Sequence, residues 1–215
     1  MAFGLKAAAA AAAIAASAAA ASAATLVNGD FETGDLTGWT LSTTSNGANE
    51  LARVASFDVD QDGAASDAAN FLVGKLVGSR DDGGVSFRQE FTVDEAGLYE
   101  FGVDVAANGA TGQNDDGGTF VLRIDGVAVD SFAAGFIASG ATESATLSGA
   151  MTLGLGPHTF ELLITRSFRA FGANAQQFVD DAFVASAVSA VPIPAPALLL
   201  LSGLVGLGFL SRKRA

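Results

Sequence analysis

The stretch that most narrows what this chain can fold into is Phe120-Val121-Leu122-Arg123-Ile124, followed by Asp125-Gly126 and then Val127-Ala128-Val129. Two apolar, β-branched runs separated by Asp-Gly predict a β-hairpin, because both residues of a two-residue type I′ turn need positive φ. The pattern recurs upstream. In Tyr99-Glu100-Phe101-Gly102-Val103-Asp104-Val105 aromatic and aliphatic residues alternate with Glu, Gly and Asp, the two-residue period of a half-buried strand. In Val85 to Val93 the residues Val85, Phe87, Phe91 and Val93 share one face, with Gln89 as the exception. Phe160–Ile164 and Gln177–Val184 supply late strands. Gly, Asn and Asp clusters break the apolar runs at short intervals, and no long stretch of the body carries a helical period. An all-β sandwich or barrel is expected.

The two ends of the chain have another character. Lys6, the alanine run from Ala7 with Ile14, and Ala21-Ser22-Ala23 give the cationic start, apolar middle and A-x-A site of a secretory signal peptide, which places the leader at 1–24. The partners this implies are the Sec translocon and a signal peptidase. At the other end, 189–196 is a Pro-rich linker and 197–215 an apolar helix with a basic end, Arg212-Lys213-Arg214. The apolar run from Ala197 to Leu210 would be about 21 Å long as a helix, short against a hydrocarbon core of about 30 Å. The three cations would stay cytoplasmic and hold the rest of the chain outside the inner membrane. An ordinary tail anchor or a buried helix accounts for the apolar run alone.

Val191-Pro192-Ile193-Pro194-Ala195, the apolar run and the Arg-rich end together resemble the PEP-CTERM bacterial sorting signal in its Val-Pro-Leu-Pro-Ala variant. The resemblance implies an exosortase as partner. It also implies transient inner-membrane anchoring, then delivery to the cell surface, outer membrane or extracellular matrix of a Gram-negative bacterium. Ile193 stands where the common form of the signal has Glu.

Between the signals lies one domain, 25–188. Without Lys6, Arg212, Lys213 and Arg214, seven of the 11 cations remain against all 23 carboxylates, a formal charge of −16. Such a surface repels nucleic-acid phosphates and attracts divalent cations. The absence of cysteine removes disulfides as braces and thiols as nucleophiles.

Leu26-Val27-Asn28-Gly29-Asp30-Phe31-Glu32 with Gly38-Trp39, Gly156-Pro157-His158-Thr159-Phe160, and Phe178-Val179-Asp180-Asp181-Ala182-Phe183 resemble the opening, penultimate turn and closing strand of galactose-binding and carbohydrate-binding-module domains. The resemblance implies an antiparallel jelly-roll β-sandwich with first and last strands adjacent. It also implies a structural calcium shared by Asn28, Asp30, Glu32 and Asp180 or Asp181, and an extracellular polysaccharide as ligand. Independently, Asp58-Val59-Asp60-Gln61-Asp62-Gly63 has the first half of a D-x-D-x-D-G calcium loop, with oxygens at positions one, three and five. Its twelfth position is Ala69 rather than Glu, so the segment is not an EF-hand; a looser calcium loop and an acidic turn both fit. Asp81-Asp82-Gly83-Gly84 and Asp115-Asp116-Gly117-Gly118 read as hairpin connections, or as acids gathered at one rim.

Trp39 and Tyr99 are expected in the core. Phe168 and Phe171, with Arg166 and Arg169, form a candidate exposed patch for an anionic sugar. The lone His158 reads as a turn residue, and no nucleophile elbow, metal-spaced His pair, P-loop or dinucleotide fingerprint is present. A non-enzymatic exported protein that binds polysaccharide is therefore expected. The alternatives are a structural surface or biofilm protein without a ligand, and a polysaccharide hydrolase built on paired acids.

Overall fold

The computed structural model describes residues 24–109, 115–172 and 175–187. The expected leader with Ala21 and Ala23, the expected sorting motif Val191–Ala195 and the expected apolar helix with Arg212, Lys213 and Arg214 lie outside the described residues. No helix among the described residues is long and apolar enough to cross a membrane.

Among the described residues, twelve strands run in order: β1 (Thr40–Thr43), β2 (Gly47–Phe57), β3 (Ser66–Lys75), β4 (Gly83–Val93), β5 (Gly97–Asn108), β6 (Asp115–Asp116), β7 (Thr119–Ile124), β8 (Val127–Ala133), β9 (Phe136–Ile137), β10 (Thr142–Leu153), β11 (Gly156–Arg166) and β12 (Gln176–Ser186). They form two five-stranded antiparallel sheets, ordered β1-β4-β11-β7-β8 and β10-β5-β12-β3-β2, with β6 and β9 as a small separate pair. The sheets face each other as a jelly-roll sandwich. Its interior is built from the alternating residues that the sequence pattern puts on one face: Val85, Phe87, Phe91 and Val93 of β4, Tyr99, Phe101, Val103 and Val105 of β5, and Phe160, Leu162 and Ile164 of β11, all buried. The Asp-Gly hairpin forms as expected, with φ of 51° at Asp125 and 78° at Gly126.

Gln89, the break in the alternation of β4, is buried with its apolar neighbours. Its carboxamide takes the place of a strand partner: Val27 N–H donates to Oε1 at 2.5 Å, and Nε2 donates to the Val27 carbonyl at 2.9 Å. Trp39 stacks on Phe87 with ring centroids 4.5 Å apart and donates its indole N–H to the Asn28 carbonyl. These two side chains fasten residues 24–39 to the sandwich. This opening stretch contains no strand, a correction to the expected adjacency of first and last strands. It touches β12 at one point instead, where Ala182 N–H donates to the Gly29 carbonyl at 2.9 Å. A Cβ on Gly29 would lie 2.0 Å from the Ala182 carbonyl oxygen, so only glycine permits the approach.

In β3 the stretch Ala68–Gly74 is buried on both faces. Its outward side is covered by Val59 from the β2–β3 loop and by Phe57, whose ring stacks on Phe178 of β12 at 3.8 Å. Residues 58–65 thus lie across the outer surface of the second sheet, and Gln61 reaches Ser144 of β10 with a 2.7 Å hydrogen bond.

His158 lies in β11 and ties two turns together. Nδ1 lies 2.7 Å from Asp125 Oδ2 and Nε2 lies 2.9 Å from the Gly154 carbonyl, so only the doubly protonated ring satisfies both acceptors. The hydrogen bond to Asp125, more than any other factor, raises its pKa above the ordinary 6.5. A histidine whose pKa is raised by folding contributes stability that is complete below its unfolded value and is lost as pH rises through its folded value. NMR titration of this single imidazole is expected to give a midpoint above 6.5, returning toward 6.5 in Asp125→Asn. An unshifted midpoint in the unaltered protein would contradict the geometry.

Candidate functional site

The site grows from an irregularity in the last strand. Asp180 of β12 pairs with Asp104 of β5, but after Asp180 the register slips, and the next pair is Phe183 with Gly102. Asp181 and Ala182 fill the bulge, Asp181 with φ of 48°, and the Gly29 contact attaches there. Asp104 and Asp180 therefore stand directly opposite each other on neighbouring strands. Like charges in that relation destabilise a sheet, and nothing in local strand preference calls for them.

Each acid is held. Thr146 of β10 donates to Asp104 Oδ1 at 2.5 Å; Ser66 of β3 donates to Asp180 Oδ2 at 2.5 Å, and the Asp181 N–H to Asp180 Oδ1 at 2.8 Å. The loop over the sheet adds Asp60 and Asp62. With Ser66, Asp104, Asp180 and Asp181 they line a pocket of about 200 Å³, none of whose lining residues is Lys or Arg. The electrostatics show the crowding. Burial above all pushes Asp180 up to about 6, with Asp181 and Glu32 adding to it against the hydrogen bonds from Ser66 and Asp181. Asp181 is raised as well, by burial first and then by Asp104, Asp30, Asp60 and Glu32.

The loop is itself organised by its acids. Gly63 N–H donates to Asp58 Oδ2 at 3.0 Å, Asp62 N–H to Asp60 Oδ1 at 3.2 Å, and Ala64 N–H to Asp62 Oδ1 at 2.7 Å. One oxygen from each of Asp58, Asp60 and Asp62 lies within 4.8 Å of the others. Asp58 Oδ1 is buried without a hydrogen-bond partner. An orphaned buried carboxylate oxygen beside two further carboxylates is a donor set that fits a hard cation of calcium's type.

The two acidic groups expected separately from the sequence, Asp30, Glu32, Asp180 and Asp181 on one side and Asp58, Asp60 and Asp62 on the other, thus meet around one bulge. Asn28 is brought near but spent elsewhere, since Nδ2 donates to the Asp35 and Thr37 carbonyls and Oδ1 accepts from Thr33 N–H. Glu32 Oε1 accepts from Asp67 N–H at 3.2 Å. Asp104, Ser66 and Thr146 were missed. Asp104 was legible as an outward-facing acid of its strand, but its opposition to Asp180 is set by a long-range register.

The expected sugar patch is corrected. Arg166 is 1% exposed, because it ends β11 pointing inward: Nη2 lies 2.6 Å from Asp115 Oδ1 and Nη1 donates to the Val73 carbonyl at 3.1 Å. Arg169, Phe168 and Phe171 are exposed in the loop that follows.

No protein-family model and no curated protein matches the chain. Among solved structures it is similar to the carbohydrate-binding module TmCBM61 in complex with β-1,4-galactotriose, at 17% identity over 75% of this chain and 97% of that one, with a TM-score of 0.46. It is also similar to the CBM22-1–CBM22-2 tandem of Paenibacillus barcinonensis Xyn10C, at 14% identity over 82% and 48% of the two chains, with a TM-score of 0.46. A structure described as CBM4 gives 13% identity, 75% and 99% coverage and a TM-score of 0.40. At such identities and scores these are likenesses of a β-sandwich and say nothing of a ligand.

Proposed function

We propose that this chain is an exported bacterial surface or matrix protein. In this proposal its β-sandwich holds calcium at the bulge of β12 and binds extracellular polysaccharide without turning it over. The observation that carries it is the facing pair Asp104 and Asp180 beneath the Asp60 and Asp62 loop. Such an arrangement costs stability unless a cation or protons offset it, and calcium takes six to eight oxygens, more than one loop of carboxylates supplies. Hydroxyl pairs of a sugar can complete that shell. Export rests on the leader and the motif Val191–Ala195, with the Sec translocon, a signal peptidase and an exosortase as the partners those signals call for.

The test is co-sedimentation of residues 25–188 with the producing cell's own exopolysaccharide, in calcium and then in EDTA. Binding in calcium, released by EDTA and weakened by Asp180→Asn, is expected. Absence of binding in both buffers overturns the polysaccharide assignment and leaves a structural surface protein. A second reading is favoured by the same pair, since a carboxyl held near 6 opposite a second acid has the form of a general acid and its partner. Shortening of the sedimented polymer would decide for hydrolysis.

A further inference from the structure

The buried Arg166 leaves the end of the sandwich around it with a different use. Two loops lie side by side there, the β3–β4 connection and the β11–β12 connection, joined by a 2.8 Å hydrogen bond from Lys75 N–H to the Phe168 carbonyl and a bridge between Lys75 and Arg169. A Cβ on Gly74 would lie 2.0 Å from Ala170 N, so the approach leaves no space for a side chain. Both Asp-Asp-Gly-Gly segments converge on the same loop: Ser167 donates its hydroxyl to Asp82 at 2.8 Å and its N–H to Asp116 at 3.4 Å. From this braced tip Leu76, Val77, Phe168 and Phe171 stand out 48%, 78%, 52% and 66% exposed. Four large apolar side chains held out together mark a contact surface.

The charges at the tip select the partner. With the Arg166–Asp115 pair buried, Lys75, Arg80 and Arg169 are matched one for one by Asp81, Asp82 and Asp116. A neutral tip of mixed sign offers no excess charge to an anionic sugar or an anionic bilayer, and the rest of the body, at −16, repels both. A surface that carries both signs and apolar side chains is complementary to itself across a two-fold axis, and it is where two such acidic bodies repel each other least. We propose that this tip, Leu76 and Val77 with Phe168 and Phe171, is the contact through which two copies of the chain pair end to end. β12 starts at this tip and runs away from it, so pairing sends the two exits of the chain beyond Ser186 in opposite directions. Copies held by their tails on separate surfaces would then be joined.

The chain has no cysteine, so one introduced thiol is an unambiguous probe. Full-length chain carrying Phe171→Cys is expressed in the producing cell, oxidised in place and resolved on a non-reducing gel. The control is Leu155→Cys, 69% exposed and at the far end, since the neighbouring Leu153 pairs with Gly97 whereas Gln176 pairs with Asn108. Covalent dimer from Phe171→Cys, little from Leu155→Cys, and a severalfold loss when Val77→Ser is added to Phe171→Cys are expected. Equal dimer from both positions, none from Phe171→Cys, or no response to Val77→Ser overturns the pairing. A chain that stays monomeric while polysaccharide or lipid vesicles shield the introduced thiol from a maleimide also overturns it, assigning the tip to that other occupant.

Discussion

Arg166→Leu is expected to lower stability by about 3–5 kcal/mol, the cost of breaking a buried ion pair by removing one partner. The guanidinium side chain is 0% exposed and that of Asp115 9%. Asp115 also receives the Ala175 N–H at 2.7 Å and the Asp116 N–H at 2.8 Å, so it anchors the start of β12 as well as the small β6. Deleting the cation leaves this carboxylate buried among neutral donors, and the leucine cannot replace the hydrogen bond to the Val73 carbonyl. Urea unfolding followed by fluorescence of Trp39 is the measurement, with the midpoint falling and the slope unchanged. Arg166→Leu combined with Asp115→Asn should recover part of the loss, since the uncompensated charge is gone. A single variant as stable as the parent would show that the pair is no anchor. Arg166→Lys should fall between, because an ammonium keeps the charge and loses the fork.

Asp180→Asn is expected to do opposite things with and without calcium. In EDTA the native state holds this carboxyl near 6, against 3.8 unfolded, so folding takes up protons between those values. Stability therefore falls as pH rises from about 4 to about 6, and the full penalty, on the order of 3 kcal/mol, persists above that range. Asparagine removes it, so the variant should be more stable than the parent at pH 7 in EDTA and flatter in its pH dependence. With calcium at a hundredfold excess over Kd the parent should gain about 3 kcal/mol by binding, and the variant little of it. Thermal midpoints in the two buffers, for both proteins, make the crossing visible. Parallel behaviour in calcium and EDTA would sink the metal site.

The strands were legible where one face met the core and the other met water. β4 and β5 could be placed from alternation, β7 and β8 from the apolar runs on either side of the Asp125-Gly126 turn with its need for positive φ, and β11 from the run Phe160–Ile164. β3 was not, because loop and ring cover its outer face and erase the two-residue period. β10, at the edge of its sheet, sets Ala145, Leu147, Met151 and Leu153 against the core, but its many Ser, Thr and Ala residues keep the contrast between its faces shallow. Gln89 looked like a fault in its strand and is a clamp on Val27, a role that depends on a segment far away in sequence. The acids of the site were visible one by one, but their meeting depends on the Asp104–Asp180 register and the bulge after it. Arg166 was misplaced because it borders a loop that also carries Arg169, Phe168 and Phe171, and its pairing with Gly83 of β4 shows that it is still inside a strand, with its side chain buried.

The contact between Gly29 and Ala182 also sets an order of events in time. The opening stretch at Gly29 rests on the last strand, and β12 sits in the middle of its sheet between β5 and β3. Such a sheet stays open until nearly all of the sandwich's sequence is present, since a contact between the two ends of that sequence closes the longest loop. Under the export proposed above, a polypeptide crossing a membrane as a thread would be kept in that state by its own topology, and a fragment stopped short of β12 has no finished core to collapse onto. The closing of the sandwich then reports, by itself, that the whole of it has arrived.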